Sequence, residues 1–336
     1  MSSVRAQSAA APFGSHSEYG VLREVVIGDA RGLELPPFGK DLSHYNDELR
    51  AALLANGERA LSVQQHFPQR WEETCRQIDG VAKAFEDNGV AVHRLRPYTA
   101  PEKEYLSALQ RGCSQLYPAD PVFVVGAHFI EVNIRRAYRR KEVFPIRDIV
   151  LPMLAADARA SYAAMPHAQP WSPSGEGPGP FLEGGDILVQ GKDVLVGIGD
   201  LCSDRAGFDW LTRHLAPHGY TTWAMPIVGD VMHALGALCL LREGLAMAHL
   251  PTFAEGLPPP IADWEVIEIT AEEMRGHATV GVSLDPRRYL IDPRHARVME
   301  ALSKHGIEPL PTPCDAIGYW GGAIRCITLP LKRDPA

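Results

Sequence analysis

The sequence predicts an α/β fold assembled from repeated units, each a short two-strand hairpin followed by a helix. Three observations carry this prediction. Apolar runs broken by a glycine turn recur along the chain, in PVFVVGAHFIEV (121–132), DILVQGKDVLVGIG (186–199) and ALCLLREGLAMAHL (237–250). Runs at helical spacing stand between such units, as in RWEETCRQIDGVAKAFEDNG (70–89), where Trp71, Cys75, Ile78, Val81 and Phe85 share one face and Asn88-Gly89 ends the run. No GxGxxG favours a dinucleotide-binding sheet instead.

Taken in order, residues 1–17 are rich in Ala and Ser and are expected to form a disordered tail. YGVLREVVIGD (19–29) reads as a buried strand ending at a glycine, and 40–66 as one or two helices. VAVHRL (90–95) is a short strand. Residues 158–180 form a Pro/Gly/Ser-rich loop ahead of the second hairpin. SDRAGFDWLTRHLAPHG (203–219) is an amphipathic helix with Ser203 as its candidate cap. Residues 287–313 read as strand, helix, strand, and GGAIRCITLPLKR (321–333) as a closing strand pair. No strict sequence repeat accompanies this pattern.

Composition narrows the class. The 336 residues are 46% hydrophobic and 22% charged, with a formal net charge of -8. No Lys/Arg-rich run is present, which argues against nucleic acid or an anionic membrane as partner. Cys75, Cys113, Cys202, Cys239, Cys314 and Cys326 show no CxxC spacing, so a zinc ribbon and a disulfide framework are disfavoured and a reducing, cytoplasmic compartment is expected. The opening MSSVRAQSAAAPFG lacks the apolar core of a secretory signal.

Three segments can carry chemistry. In FLEGGDILV (181–189), Glu183 and Asp186 flank two glycines that let other groups approach the backbone. Alone, this reads as a tight loop with solvated acids. In MHALGALCLL (232–241), His233 leads an apolar strand, a place where a histidine is more often a satisfied core residue. A carboxylate on its ring would set its tautomer and raise its basicity. In YWGGAIRCITLPL (319–331), two glycines lead to Cys326, which a substrate could therefore reach. Such a nucleophile needs its pKa depressed by a cation or dipole; Arg325 is adjacent, although successive strand residues face opposite ways. The other five cysteines read as packing. Trp171 and Trp320 are candidates to border a site, with core packing the better reading for Trp320.

In chain order, a carboxylate, a histidine and a cysteine, each beside glycines, resemble the amidinotransferase superfamily, nearest its glycine and inosamine-phosphate amidinotransferase branch. The resemblance runs through EYGVLREVVIG, LYPADPVFVVG (116–126), FLEGGD, WLTRHLAP (210–217), the segment around His233 and GGAIRCIT. It implies a five-bladed, pseudo-symmetric α/β propeller of ββαβ modules, of the pentein kind, with residues 18–333 as a single catalytic domain. It further implies Cys326 as nucleophile, His233 as general acid/base and Glu183 as the carboxylate orienting it. Asp120 matches a carboxylate that holds a guanidinium; by itself it reads equally as a turn residue before Pro121. Asp186 and Arg325 are further substrate-binding candidates. No cofactor or metal is required, the partners are a small-molecule guanidine or amidine donor and an amine acceptor, and a homodimer is the default assembly.

The chain departs from the family pattern around the substrate. Leu235 stands where the family has an Asp that also grips the guanidinium, Thr252 where the glycine branch has a carboxylate-binding Arg, and Ala119 precedes Asp120 in place of Arg. Free L-arginine is therefore not the expected donor, and a substituted guanidine or a larger substrate of specialised metabolism is. Hydrolysis of a substituted guanidine and a catalytically silent binding homologue stay open as alternatives.

Overall fold

The computed structural model describes residues 12–37, 46–108, 111–140, 142–169 and 177–335. Among them, six three-stranded sheets are formed, and five repeat one topology: an antiparallel pair whose second strand is joined in parallel by a third. Val122–Val125, His128–Glu131 and Ser161–Ala164 make the first module. Ile187–Gln190, Asp193–Ile198 and Thr221–Pro226 make the second, and Leu238–Arg242, Leu245–Ala248 and Glu265–Glu268 the third. Val282–Asp285, Arg288–Ile291 and Glu308–Pro311 make the fourth. The fifth is built from both ends of the chain: Thr328–Arg333 pairs with Leu22–Ile27, which continues to Ala91–Arg94. This is the expected α/β propeller architecture of ββαβ modules. The sixth sheet, Leu61–Ser62, Asp29–Leu35 and Cys113–Gln115, takes two strands from the connection between Leu22–Ile27 and Ala91–Arg94 and one from the segment leading on to Val122–Val125.

The parallel third strand needs a crossover, and helices supply it. Pro68–Asp87 connects the fifth module's strands and buries Thr74, Gln77, Ile78, Val81, Ala82 and Phe85, the three-to-four-residue spacing expected of a helix packed on one side. Phe144–Ala156, Arg205–Leu215 and Ala296–Lys304 play the same part elsewhere. The third module crosses instead by the two 3₁₀ turns Leu250–Thr252 and Pro259–Ile261. First strands such as VFVV are buried throughout, because helices cover one face and neighbouring modules the other. No described helix is long and apolar enough to cross a membrane.

Three expectations change. Residues 1–11 lie outside the described residues, but 12–17 are packed: Phe13 is buried, Ser15 exchanges backbone hydrogen bonds with Gly126 at 2.9 and 2.6 Å, and bridges from Gly14 and Ser17 reach Lys332 and Gln190. Small Ala/Ser-rich sequence concealed one buried aromatic and a free backbone edge. Residues 321–333 hold one strand, whose antiparallel partner is the N-terminal strand. The cap of Arg205–Leu215 is Asp204, accepting from the Gly207 N–H at 2.7 Å. Ser203 is occupied elsewhere, as follows. Trp320 is core, its indole N–H donating to Thr74 Oγ1 at 2.8 Å, and Trp171 lies outside the described residues.

Candidate active site

The repeated topology also places the candidate residues. Asp120, Glu183, His233 and Cys326 each stand within five residues ahead of the first strand of the first, second, third and fifth modules. Four chain-distant segments thus occupy equivalent positions around the molecule. Asp120, His233 and Cys326 line one cavity of about 390 Å³, together with Leu235 and Arg325.

Glu183 stands behind His233. It is completely buried, and its Oε2 lies 2.9 Å from His233 Nε2. Its other oxygen accepts the Arg135 N–H at 3.0 Å. Burial disfavours the carboxylate, yet His233, Arg136 and the Arg135 amide outweigh it and hold the Glu183 pKa down to about 2. For His233, burial opposes the charge, but Cys202, Asp120 and Glu183 raise its pKa well above the ordinary value. These neighbours favour the protonated ring. Gly185 permits this approach: a Cβ there would sit 2.6 Å from the imidazole. Gly322 does the same near the sulfur, where a Cβ would fall 2.9 Å from that of Cys326.

Cys326 is half-buried. Burial and Asp120 push its pKa up, while the Ala323 backbone hydrogen bond, His233 and Arg325 pull the other way. The expected depressed pKa is thus not what the substrate-free site shows, because the local cations do not outweigh desolvation. Arg325 reaches Glu18 at 3.4 Å and the Thr328 carbonyl at 3.1 Å, which leaves its guanidinium partly spent on the protein.

Two substrate-binding candidates look different in three dimensions. Asp186 is completely buried and does not line the cavity. Its Oδ2 accepts the Ser203 hydroxyl at 2.6 Å and its Oδ1 the Ala234 N–H at 2.8 Å, so it ties the His233 loop to the Ser203 loop. The structure thus places it behind the cavity wall, with both oxygens engaged by the protein. Asp120 lines the cavity, but Arg139 already holds it at 2.8 Å, and Arg139 is in turn bridged to Glu142 at 2.9 Å. Burial raises the Glu142 pKa to about 8. Leu235, buried on the cavity wall, offers only apolar surface.

Sequence reasoning missed Cys202 and Arg136. The Cys202 sulfur, the Glu183 carboxylate and the His233 ring present donor atoms within 4.8 Å of one another. Such a trio could hold a metal ion, but the buried Arg136 guanidinium donates to the sulfur at 3.6 Å and already supplies a cation there. Nothing in GIGDLCSDR marks that cysteine as different from the packing cysteines. All six are free.

No protein-family model matches the chain. Curated relatives do, over nearly its full length. A putative inosamine-phosphate amidinotransferase 2 from Streptomyces griseus is 26% identical across 96% of this chain and 97% of its own. An L-arginine:L-lysine amidinotransferase from Pseudomonas savastanoi pv. phaseolicola is 23% identical across 96% and 94%. This chain is similar to amidinotransferases along nearly its whole length. Solved structures agree on its fold. The inosamine-phosphate amidinotransferase of Streptomyces griseus superposes on this chain with a TM-score of 0.79 at 20% identity, covering 97% of this chain and 98% of the other. An amidinotransferase of the saxitoxin biosynthetic pathway from Microseira wollei gives 0.78 at 19% identity, with the same coverage. The dimethylarginine dimethylaminohydrolase of Pseudomonas aeruginosa, a hydrolase by name, gives 0.63 at 16% identity over 92% of this chain and 99% of the other.

Proposed function

We propose that the protein transfers an amidino group from a guanidine donor to an amine acceptor through a covalent intermediate on Cys326. One observation carries the reading: an imidazole fixed by a buried carboxylate at 2.9 Å opens on the same cavity as the half-buried thiol. The chemistry follows from these groups. A guanidinium brought against Cys326 adds the positive charge that favours the thiolate. The sulfur bonds to the central carbon, His233 gives its proton to the departing nitrogen, and the C–N bond breaks to release an amine. The acceptor amine then bonds to the same carbon, His233 takes its proton, and the C–S bond breaks. Each proton gained by His233 is the one lost in the next turn, so the cycle closes without another reactant.

The donor in this proposal is a substituted or less charged guanidine. Asp120 is already paired with Arg139, and Leu235 gives no second carboxylate, so a free guanidinium would meet too little negative charge. An unpaired buried charge of that kind costs about 2–5 kcal/mol. A second cavity of about 750 Å³ shares Arg275, His277, Gly318 and Tyr319 with the first, giving room for a substrate larger than a free amino acid. Leu235 also keeps hydrolysis of a substituted guanidine as a second reading.

Product analysis separates the two. Incubation with a panel of substituted guanidines, with and without primary amines, is expected to yield an amidinated amine only when an amine is present, and none with Cys326→Ala. A urea-type product formed at the same rate without amine would establish hydrolysis instead.

A further inference from the structure

The fourth module also contributes a side chain to the cavity. His277 stands ahead of Val282–Asp285, the place in its module that His233 holds in the third. It lines both the cavity of Cys326 and the larger one beside it. Its φ is 67°, and among the described residues it is the non-glycine residue recorded with a left-handed backbone. That conformation costs on the order of 1 kcal/mol or more, and such costs gather at ligand sites. A glycine would end the preceding helix, Ala271–Arg275, more cheaply. The imidazole is therefore retained at a conformational cost.

Arg275 closes that helix and lines both cavities as well. Among the described residues its side chain has no ion pair or hydrogen bond. The other arginines on these walls do: Arg70 holds Glu48 at 2.8 Å, Arg294 holds Asp292 at 3.0 Å and Arg325 holds Glu18 at 3.4 Å. The acids of the larger cavity are likewise engaged. Glu48 also takes the Tyr319 hydroxyl at 3.0 Å, while Asp315 and Glu73 accept from the Gln77 amide at 2.6 and 3.0 Å. Among the described residues of these walls, Arg275 is the cation left without an acid partner, at the junction of the two spaces. On the reactive side the exposed acid is Asp230.

We propose that Arg275 and His277 form a recognition site for an oxyanion, a carboxylate or phosphate monoester, on the non-reacting end of the substrate, whose nitrogen-bearing carbon reaches Cys326. Burial, with Arg294 nearby, lowers the His277 pKa to about 4, so at neutral pH the ring is an uncharged hydrogen-bond donor beside a permanent charge. A guanidinium and a neutral N–H together suit an oxyanion's fixed lone pairs. Gly318, on the shared wall, leaves His277 and Arg294 unobstructed on its side: a Cβ there would lie 3.7 and 3.9 Å from them. The inference rests on the amidino-transfer reading and names the class of its substrate.

Protection of Cys326 against iodoacetamide, followed by intact mass, tests it with three probes: 3-guanidinopropionate, 2-guanidinoethyl phosphate and 3-guanidinopropanol, which carries the same guanidinium without an oxyanion. Either or both oxyanion-bearing probes are expected to protect at concentrations on the order of tenfold lower than the alcohol, and their order distinguishes carboxylate from phosphate. Arg275→Met is expected to abolish that difference, and His277→Asn, which tolerates the left-handed backbone, to reduce it. Arg213→Met, an exposed charge on the helix Arg205–Leu215, is expected to keep it. Equal protection by the oxyanion-bearing guanidines and the alcohol, or a difference that survives Arg275→Met, overturns the oxyanion site alone. Absence of protection by all three overturns it together with the guanidine reading.

Discussion

At the scale of single residues, the site is a set of charges that depend on one another. Glu183 stays ionised in full burial because it meets the His233 ring, Arg136 and a backbone N–H. Removing one partner from such a buried pair costs about 3–5 kcal/mol. Cys202 belongs to this set through the 3.6 Å contact from Arg136. Its replacement by Ala removes an acceptor facing His233 and leaves the Arg136 guanidinium without the sulfur. Both changes disfavour the imidazolium, so the His233 pKa is expected to fall in Cys202→Ala and to fall less in Cys202→Ser. Side-chain NMR titration of the imidazole, assigned by its loss in His233→Gln, measures this. An unchanged titration in both variants would make Cys202 packing alone. Glu183, His233 and Cys326 were legible because glycines and polar residues interrupt apolar strands there. Cys202, Arg136 and His277 were not, since their importance lies in neighbours far away in sequence.

At the scale of elements, short turns ahead of first strands hold the reactive groups. Glycine carries the Glu183 turn, and Asp186 fastens it by reaching the Ser203 and Ala234 segments. That internal role was not legible in the sequence, because a buried acid bonded to backbone and a solvated acid look alike in FLEGGD. Burial raises the Asp186 pKa to about 6, against an ordinary value of 3.8. The folded state then holds more protons than the unfolded state between those values, so this residue's contribution to stability falls as pH rises from about 4 to 6. Thermal melts across that range are expected to show the wild type losing stability relative to Asp186→Asn. Parallel pH profiles for the two proteins would refute the assignment. Hairpins were legible at this scale because turn glycines such as Gly126 and Gly191, with φ of 55° and 61°, separate apolar runs. The third module's crossover was less legible, since proline-rich 3₁₀ turns replace a periodic helix.

At the scale of the whole molecule, repetition without sequence repeat organises the site. Five sheets of one topology bring residues from positions 120 to 326 to equivalent places, and the C-terminal strand closes on the N-terminal one. The hairpin-and-helix rhythm made the architecture readable, while closure was not, because Thr328–Arg333 and Leu22–Ile27 are joined by register rather than by nearness in the chain. The buried strap at Phe13–Ser17 was hidden for the same reason. What this arrangement achieves is a thiol and a carboxylate-held imidazole on one cavity, and the consequence we propose for it is covalent capture.

Intact-mass analysis after incubation with substituted guanidines tests that consequence most directly. The account predicts a mass gain of one amidino group, mapped to Cys326, absent in Cys326→Ala and discharged when an amine is added. A thiol that alkylates normally yet gains no such mass from any guanidine would contradict it.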